Sequence, residues 1–189
     1  MATATKILVE KKKLDKAPLE LHYMGDRVLR QPTKRIARVD NSIRQLVKEM
    51  LQTMYTSDGI GLAAPQVGIH KQILVVDVDW ENAATPPLVL INPVIKSFGK
   101  EIAVAQEGCL SIPNVFLDVK RPEEIEVSYK DENGRPQTRR FNDLPARVIQ
   151  HEMDHLNGVL FVDRVDNQLA MTEALSKEGF SVRDVKPVR

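Results

Sequence analysis

Between Asn142 and Gly158 the chain spells out a complete helix, and that helix limits what the rest can be. Asn142 or Asp143 can cap its first turn, Pro145 is tolerated there, and Asn157-Gly158 supplies its stop. Val148, Ile149 and Leu156 give it an apolar surface that must be covered. Within it stands "HEMDH", a His-Glu-x-x-His pattern at His151, Glu152 and His155. The spacing predicts a buried helix that carries chemistry.

The other elements are mostly strands. Gln72 to Val78 and Pro87 to Ile95 are apolar β-branched runs bounded by turn residues. Val115 to Lys120 and Glu124 to Lys130 alternate, and Asn133-Gly134 signals a hairpin into "RPQTRRF". Ile43, Leu46, Val47, Met50, Leu51 and Met54 recur at helical spacing, which predicts a helix from Asp40 or Asn41 to about Ser57. After it, "GIGLAAPQVG" reads as a shaped loop, and a weaker helix is predicted over about Asn167 to Lys177. The sum is an α+β fold, with mixed or antiparallel sheets packed around a central buried helix. Residues 1–18 read as a Lys-rich mobile arm packing only in its last part, 19–166 as the catalytic domain, and 167–189 as a C-terminal helix and polar tail.

Composition narrows the function. A chain of 189 residues suits one domain with a sizeable core, and 42% hydrophobic with 28% charged residues is the balance of a soluble globular protein. With 27 basic against 26 acidic residues there is no global drive toward nucleic acid or anionic membrane. No run approaches the roughly 18 apolar residues of a membrane span. The N-terminus lacks the apolar core of a secretory signal, so the expected location is the cytoplasm, or an organellar stroma if the start is a transit remnant. A single cysteine, Cys109, excludes an internal disulfide.

Residues i and i+4 share a helix face, so His151 and His155 can aim both rings at one ion. Glu152 is rotated by about 100° but stays beside that point, where it can accept a proton from water. The plainer reading is two histidines on an exposed face, satisfied by solvent or by Asp154. A third ligand decides between them. The continuation ending in a third histidine is excluded, because Phe161 occupies that position. Glu173 or Glu178 on a following helix is one alternative. The other is Cys109 as thiolate, which with two imidazoles leaves a fourth position open. Residue chemistry favours Cys109: Gly108 lets backbone approach closely, and Glu107 is an odd neighbour for plain core.

Three segments, "GIGLAAPQVG" at Gly59, "EGCLSIP" at Glu107 and "QHEMDHLNGVLF" at Gln150, together resemble the peptide deformylase family in the family's order. The resemblance covers roughly Leu19 to Asp166 and is strongest to the bacterial and plastid-type branch, cyanobacterial members above all. It implies metal-dependent removal of the formyl group from the N-terminal formyl-methionine of nascent polypeptides, with release of formate. By the same resemblance Cys109, His151 and His155 are ligands to one divalent ion, natively Fe2+, with Zn2+, Ni2+ or Co2+ able to replace it. Glu152 is then the general acid/base, and the Gln66 amide with the Leu110 backbone N–H holds the formyl oxygen as it gains charge.

The resemblance further implies a peptide bound in extended form, with backbone hydrogen bonds from Ile60, Gly61 and Gly108. Ile60, Leu144 and Val148 are expected to receive the methionine side chain. Expected partners are formyl-methionyl nascent peptides and, through the basic tail "RDVKPVR", a transient ribosome contact, with no nucleic-acid specificity and no membrane. The chain departs from the family at Asp143, where glycine is usual, at Asn114, where glycine is frequent, and at Phe116, where arginine or tyrosine is common. Two competing readings are a zinc peptidase and a translation-associated binding module with a closed structural metal.

Overall fold

Ile73, Leu74, Val75 and Val76 are apolar without a break, and the computed structural model, which describes residues 9–188, shows why: both faces of this strand are covered. Helix α1 (Asn41–Thr56) is followed by β1 (Gly61–Ala63), β2 (Ile73–Val76), β3 (Leu88–Phe98), β4 (Ile102–Cys109), β5 (Ile112–Pro122), β6 (Glu124–Lys130) and β7 (Pro136–Asn142). Then come α2 (Asp143–Leu156) and α3 (Gln168–Lys177). Five strands form one sheet in the order β1-β2-β3-β6-β7, and β4 and β5 form a separate two-stranded ribbon. Every pairing between these strands is antiparallel. Mixed helix and antiparallel sheet is the class predicted from sequence.

Side chains alternate across a strand, so the five-stranded sheet presents two different surfaces. Ile73, Val75, Val89 and Ile91 meet Ile43, Val47, Met50, Leu51 and Met54 of α1. Leu74, Val76, Leu90, Ile125 and Val127 meet Ala146, Val148 and Ile149 of α2. Each such large side chain removed from water contributes about 1.5–3 kcal/mol, an upper estimate because the unfolded chain already covers part of it. Helix α2 contacts β1, β2, β6 and β7 of the sheet and also β5 of the ribbon. A third cluster joins β5 to the C-terminal region through Val115, Leu117, Val119, Phe161, Val162 and Met171.

Local chemistry sets the element ends. Asp40 caps α1 by accepting from the Ile43 amide, and Asn167 caps α3 by accepting from Ala170. The Asn133-Gly134 signal is realised: β6 turns into β7 with Gly134 at φ 77, a region open to glycine without strain. Asp143 stands at φ 53, a backbone region that aspartate tolerates better than most residues. The "GIGLAAPQVG" loop contains more order than its glycines suggest, with β1 pairing Gly61 to Val76 and a 3-10 turn over Ala64–Val67.

The described residues near both ends are held by hydrogen bonds to the body of the fold. Residues 1–8 lie outside the described residues, yet from Val9 onward the arm follows a fixed course. The Leu14 amide donates to Thr56 Oγ1, and the Leu19 amide donates to Thr53 Oγ1. At the other end the Lys186 amide donates to Asp163 Oδ1 at 2.8 Å and Val188 to the Asp163 carbonyl at 3.0 Å.

Candidate metal centre and active site

Cys109 closes β4 and pairs with Ile112, leaving only Leu110 and Ser111 in the turn of the ribbon. That tip reaches the buried face of α2, where His151 and His155 lie one turn apart. The ligand-capable atoms of Cys109, His151 and His155 all fall within 4.8 Å of one another, and Cys109 Sγ is 3.2 Å from His155 Nε2. His151 Nδ1 is engaged by Glu107 Oε2 at 2.9 Å, which commits its other ring nitrogen to the centre. Phe161, the residue that ends the three-histidine continuation, stacks on the His151 ring with centroids 5.8 Å apart. Glu173 and Glu178 are not in this group; Glu178 accepts from the Asn114 amide on the surface.

Electrostatics suit this donor set to a cation. Burial depresses His155 well below the ordinary imidazole value and keeps it neutral, the form that offers a lone pair. Burial opposes protonation of His151 too, but hydrogen bonds to Cys109 and Glu107 raise it well above the usual value. Glu152 is buried, and burial pushes its carboxyl up to about 7. Its Oε2 and the His155 Nδ1 are buried without a protein partner. A thiol and two imidazoles facing one point, beside an unpartnered buried carboxylate oxygen, fit a divalent ion with water next to it.

Gln66 is 1% exposed and held at both ends of its amide. Its Oε1 accepts from the Ala63 amide at 2.8 Å, and its Nε2 donates to Ser111 Oγ at 3.2 Å and lies 3.5 Å from Cys109 Sγ. The amide orientation follows from the Ala63 bond, which places the N–H donors on the side of the centre. Leu110 lines the same cleft.

That cleft encloses about 720 Å³, and Ile60, Gly61, Gly108, Leu144 and Val148 all line it together with Gln66, Cys109, His151 and Glu152. Val148 is buried at its floor, while Leu144 is half exposed at its rim. β1 is an edge strand of the sheet, so Gly61 leaves backbone free on the cleft side. Glycine is required there: a Cβ at position 61 would lie 2.5 Å from Glu152 Oε1 and 2.7 Å from Val148 Cγ1. Phe116, 59% exposed, stands on the rim at the position noted as a departure.

Behind the three candidate ligands lies a polar group of which the sequence points only to Glu107. Arg121 is 3% exposed and grips Glu107 bidentately, Nε to Oε1 at 2.6 Å and Nη2 to Oε2 at 2.9 Å. Its Nη1 donates to Asp154 Oδ2 at 2.8 Å, and Arg147 adds a bond to Glu107 Oε1 at 2.8 Å. Burial would raise the Glu107 carboxyl, but Arg121 and His151 hold it well below the usual carboxylate range. It therefore remains an anion that orients His151. The signal for Arg121 was present: Val115, Leu117 and Val119 point inward on β5, and the period of two places Arg121 on the same side.

The comparisons with known proteins agree with this geometry. The family profile described as polypeptide deformylase matches residues 18–170. A peptide deformylase of Microchaete diplosiphon is 70% identical over 184 residues, covering 97% of this chain and 98% of that one. One from a Synechocystis species is 68% identical over 186 residues, covering 98% and 99%. The crystal structure of a Synechococcus elongatus peptide deformylase in complex with actinonin superposes with a TM-score of 0.94 at 64% identity, covering 95% and 98%. A plant peptide deformylase gives 0.80 at 38% identity, covering 87% and 89%. This chain belongs to the peptide deformylase family, the metallohydrolases that remove the N-formyl group from nascent polypeptides, and that is the reaction it catalyses.

Proposed function

We propose that Cys109, His151 and His155 hold one divalent ion and that Glu152 carries the proton in deformylation of formyl-methionyl peptides. The convergence of Cys109, His151 and His155 on one point, beside a cleft lined by Cys109, His151 and Glu152, is the observation that supports it. When bound, the ion supplies Lewis acidity toward the formyl oxygen and the attacking water. Glu152 takes the proton of that water and returns it to the leaving amine, which a carboxyl near neutrality can do in both directions. Gln66 Nε2 and the Leu110 N–H meet the formyl oxygen as charge builds on it. Ile60, Gly61 and Gly108 hold the peptide backbone, and Ile60, Leu144 and Val148 face the methionine side chain.

Ferrous iron is the native ion in this reading. Ligand softness admits Zn2+, Ni2+ and Co2+ as well, so the choice of iron rests on the family and on metal availability rather than on affinity. The same reading takes α2 as the central buried helix of the fold, in keeping with its buried Ala146, Ile149, His151 and His155. It divides the chain at about residues 18 and 166. Among the described residues no helix is long and apolar enough to cross a membrane. A cytoplasmic or stromal location and a transient ribosome contact through exposed Arg183 and Lys186 complete the proposal.

Elemental analysis of anaerobically purified protein, paired with formate release from a formyl-Met tripeptide, tests metal and reaction together. The expected result is about one equivalent of iron per chain, formate from the formylated peptide, and no cleavage of the unformylated one. Cys109→Ala is expected to lose both metal and turnover. Full metal content and activity in that variant would return the third-ligand role to Glu173 or Glu178.

A further inference from the structure

The N-terminal arm places Lys11, which lies ahead of the family profile that begins at residue 18, in a closed polar site. Lys11 Nζ lies 2.7 Å from Asp77 Oδ2 and within 3.3 Å of the backbone carbonyls of Asp79, Asn82 and Thr85. The Lys11 side chain is 8% exposed and that of Asp77 1%. An ammonium has three protons to donate, and this cage offers four acceptors to share them. Asp77 accepts in addition from Tyr55 Oη at 2.6 Å and from the Asp79 amide at 3.2 Å.

We propose that Lys11 is a positioning residue for the peptide-binding segment, acting through Asp77 on Ile60 and Gly61. This rests on the reading of the cleft given above. The Asp77 amide donates to the Ile60 carbonyl at 2.9 Å, immediately after β2 pairs Val76 with Gly61. Asp77 is thus bound on its side chain by the arm and on its backbone to Ile60, the cleft-lining residue just before β1. A second contact runs parallel to it: Lys13 pairs with Asp58, another residue of the cleft, at 2.6 Å. That pair is exposed and worth little by itself. The buried Lys11 contact is the one whose loss leaves Asp77 without its cation, held only by Tyr55 and the Asp79 amide.

Glu152, His151 and His155 stand on α2 and Cys109 on β4, so none of these four residues belongs to the pin, which fixes the backbone of Ile60. Its removal should therefore act on binding. In full-length, metal-loaded protein, Lys11→Met is expected to raise KM for a formyl-Met tripeptide by about tenfold with kcat within about twofold. Backbone hydrogen exchange should accelerate at 59–62 and stay unchanged in β6 and β7. Lys11→Gln, neutral but able to donate, should fall between. In Lys11→Ala, methylammonium chloride should restore KM where sodium chloride at equal ionic strength does not.

Unchanged KM in both Lys11→Met and Lys11→Gln overturns the proposal. So does faster exchange spread evenly over the sheet, or a fall in kcat together with metal content, since either marks a general stabilising strap. Wild-type protein that releases no formate in the same assay would instead overturn the reading of the cleft.

Discussion

Glu152→Gln is expected to lower turnover of a formyl-Met peptide by a factor of about 10² to 10⁴ while the metal stays bound. The size follows from what the substitution removes. Glutamine has nearly the volume of glutamate, so the tight space beside Gly61, where a Cβ would come within 2.5 Å of Oε1, is filled as before. What disappears is a carboxyl held near neutrality by burial, able to accept a proton in one half of the reaction and release it in the other. Its Oε2 has no protein partner, so the substitution breaks no internal hydrogen bond of that atom. The measurement is kcat on a formylated peptide beside metal content by elemental analysis. Turnover near that of the wild type would remove Glu152 from its role; loss of metal would show that it holds the centre together instead.

Arg121→Met should be the most damaging substitution outside the cleft, costing about 3–5 kcal/mol of folding stability. Methionine retains the apolar stem but leaves Glu107 and Asp154 without the guanidinium that joins them. Both acids keep one other arginine, Arg147 for Glu107 and Arg164 for Asp154, which argues for the lower end of that range. Lysine is not a substitute, because a point charge cannot grip Glu107 bidentately while also reaching Asp154. Urea unfolding of the metal-free protein reads the stability term. A chelator competition reads the second effect, a metal affinity weaker by about 10- to 100-fold as Glu107 loses its hold on His151. A stability change below about 1 kcal/mol would mean that Arg147 and Arg164 suffice without Arg121.

The sequence was most legible where a period and a cap coincide. Helix α1 was predicted from Asp40 or Asn41 to about Ser57 and runs Asn41–Thr56; α2 stops at Asn157 where Asn-Gly announced it. β4 escaped notice because its side chains alternate without a strong apolar face: Ile102 and Val104 are exposed, and its pairing with β5 is what makes it a strand. β1 was hidden among glycines and exists only because β2 lies beside it. The site separates in the same way. His151, Glu152 and His155 could be read from helical spacing, whereas the place of Cys109 depends on a two-residue turn that brings one ribbon to one helix. Glu107 stands out beside Cys109 in the sequence, but Arg121 does not, and their partnership requires β4 and β5 to be in register. Lys11 looked like a solvated charge in a Lys-rich arm, since nothing local reveals a cage built by residues 77–85.

The doubly covered β2 has a consequence for how the protein comes apart. Ile73 and Val75 belong to the core under α1, and Leu74 and Val76 to the core under α2, so neighbours in sequence serve opposite layers. Neither layer can melt without exposing one face of the strand that the other still needs. Unfolding should accordingly occur in a single step, with both helices lost together and no half-folded state for proteases or chaperones to meet.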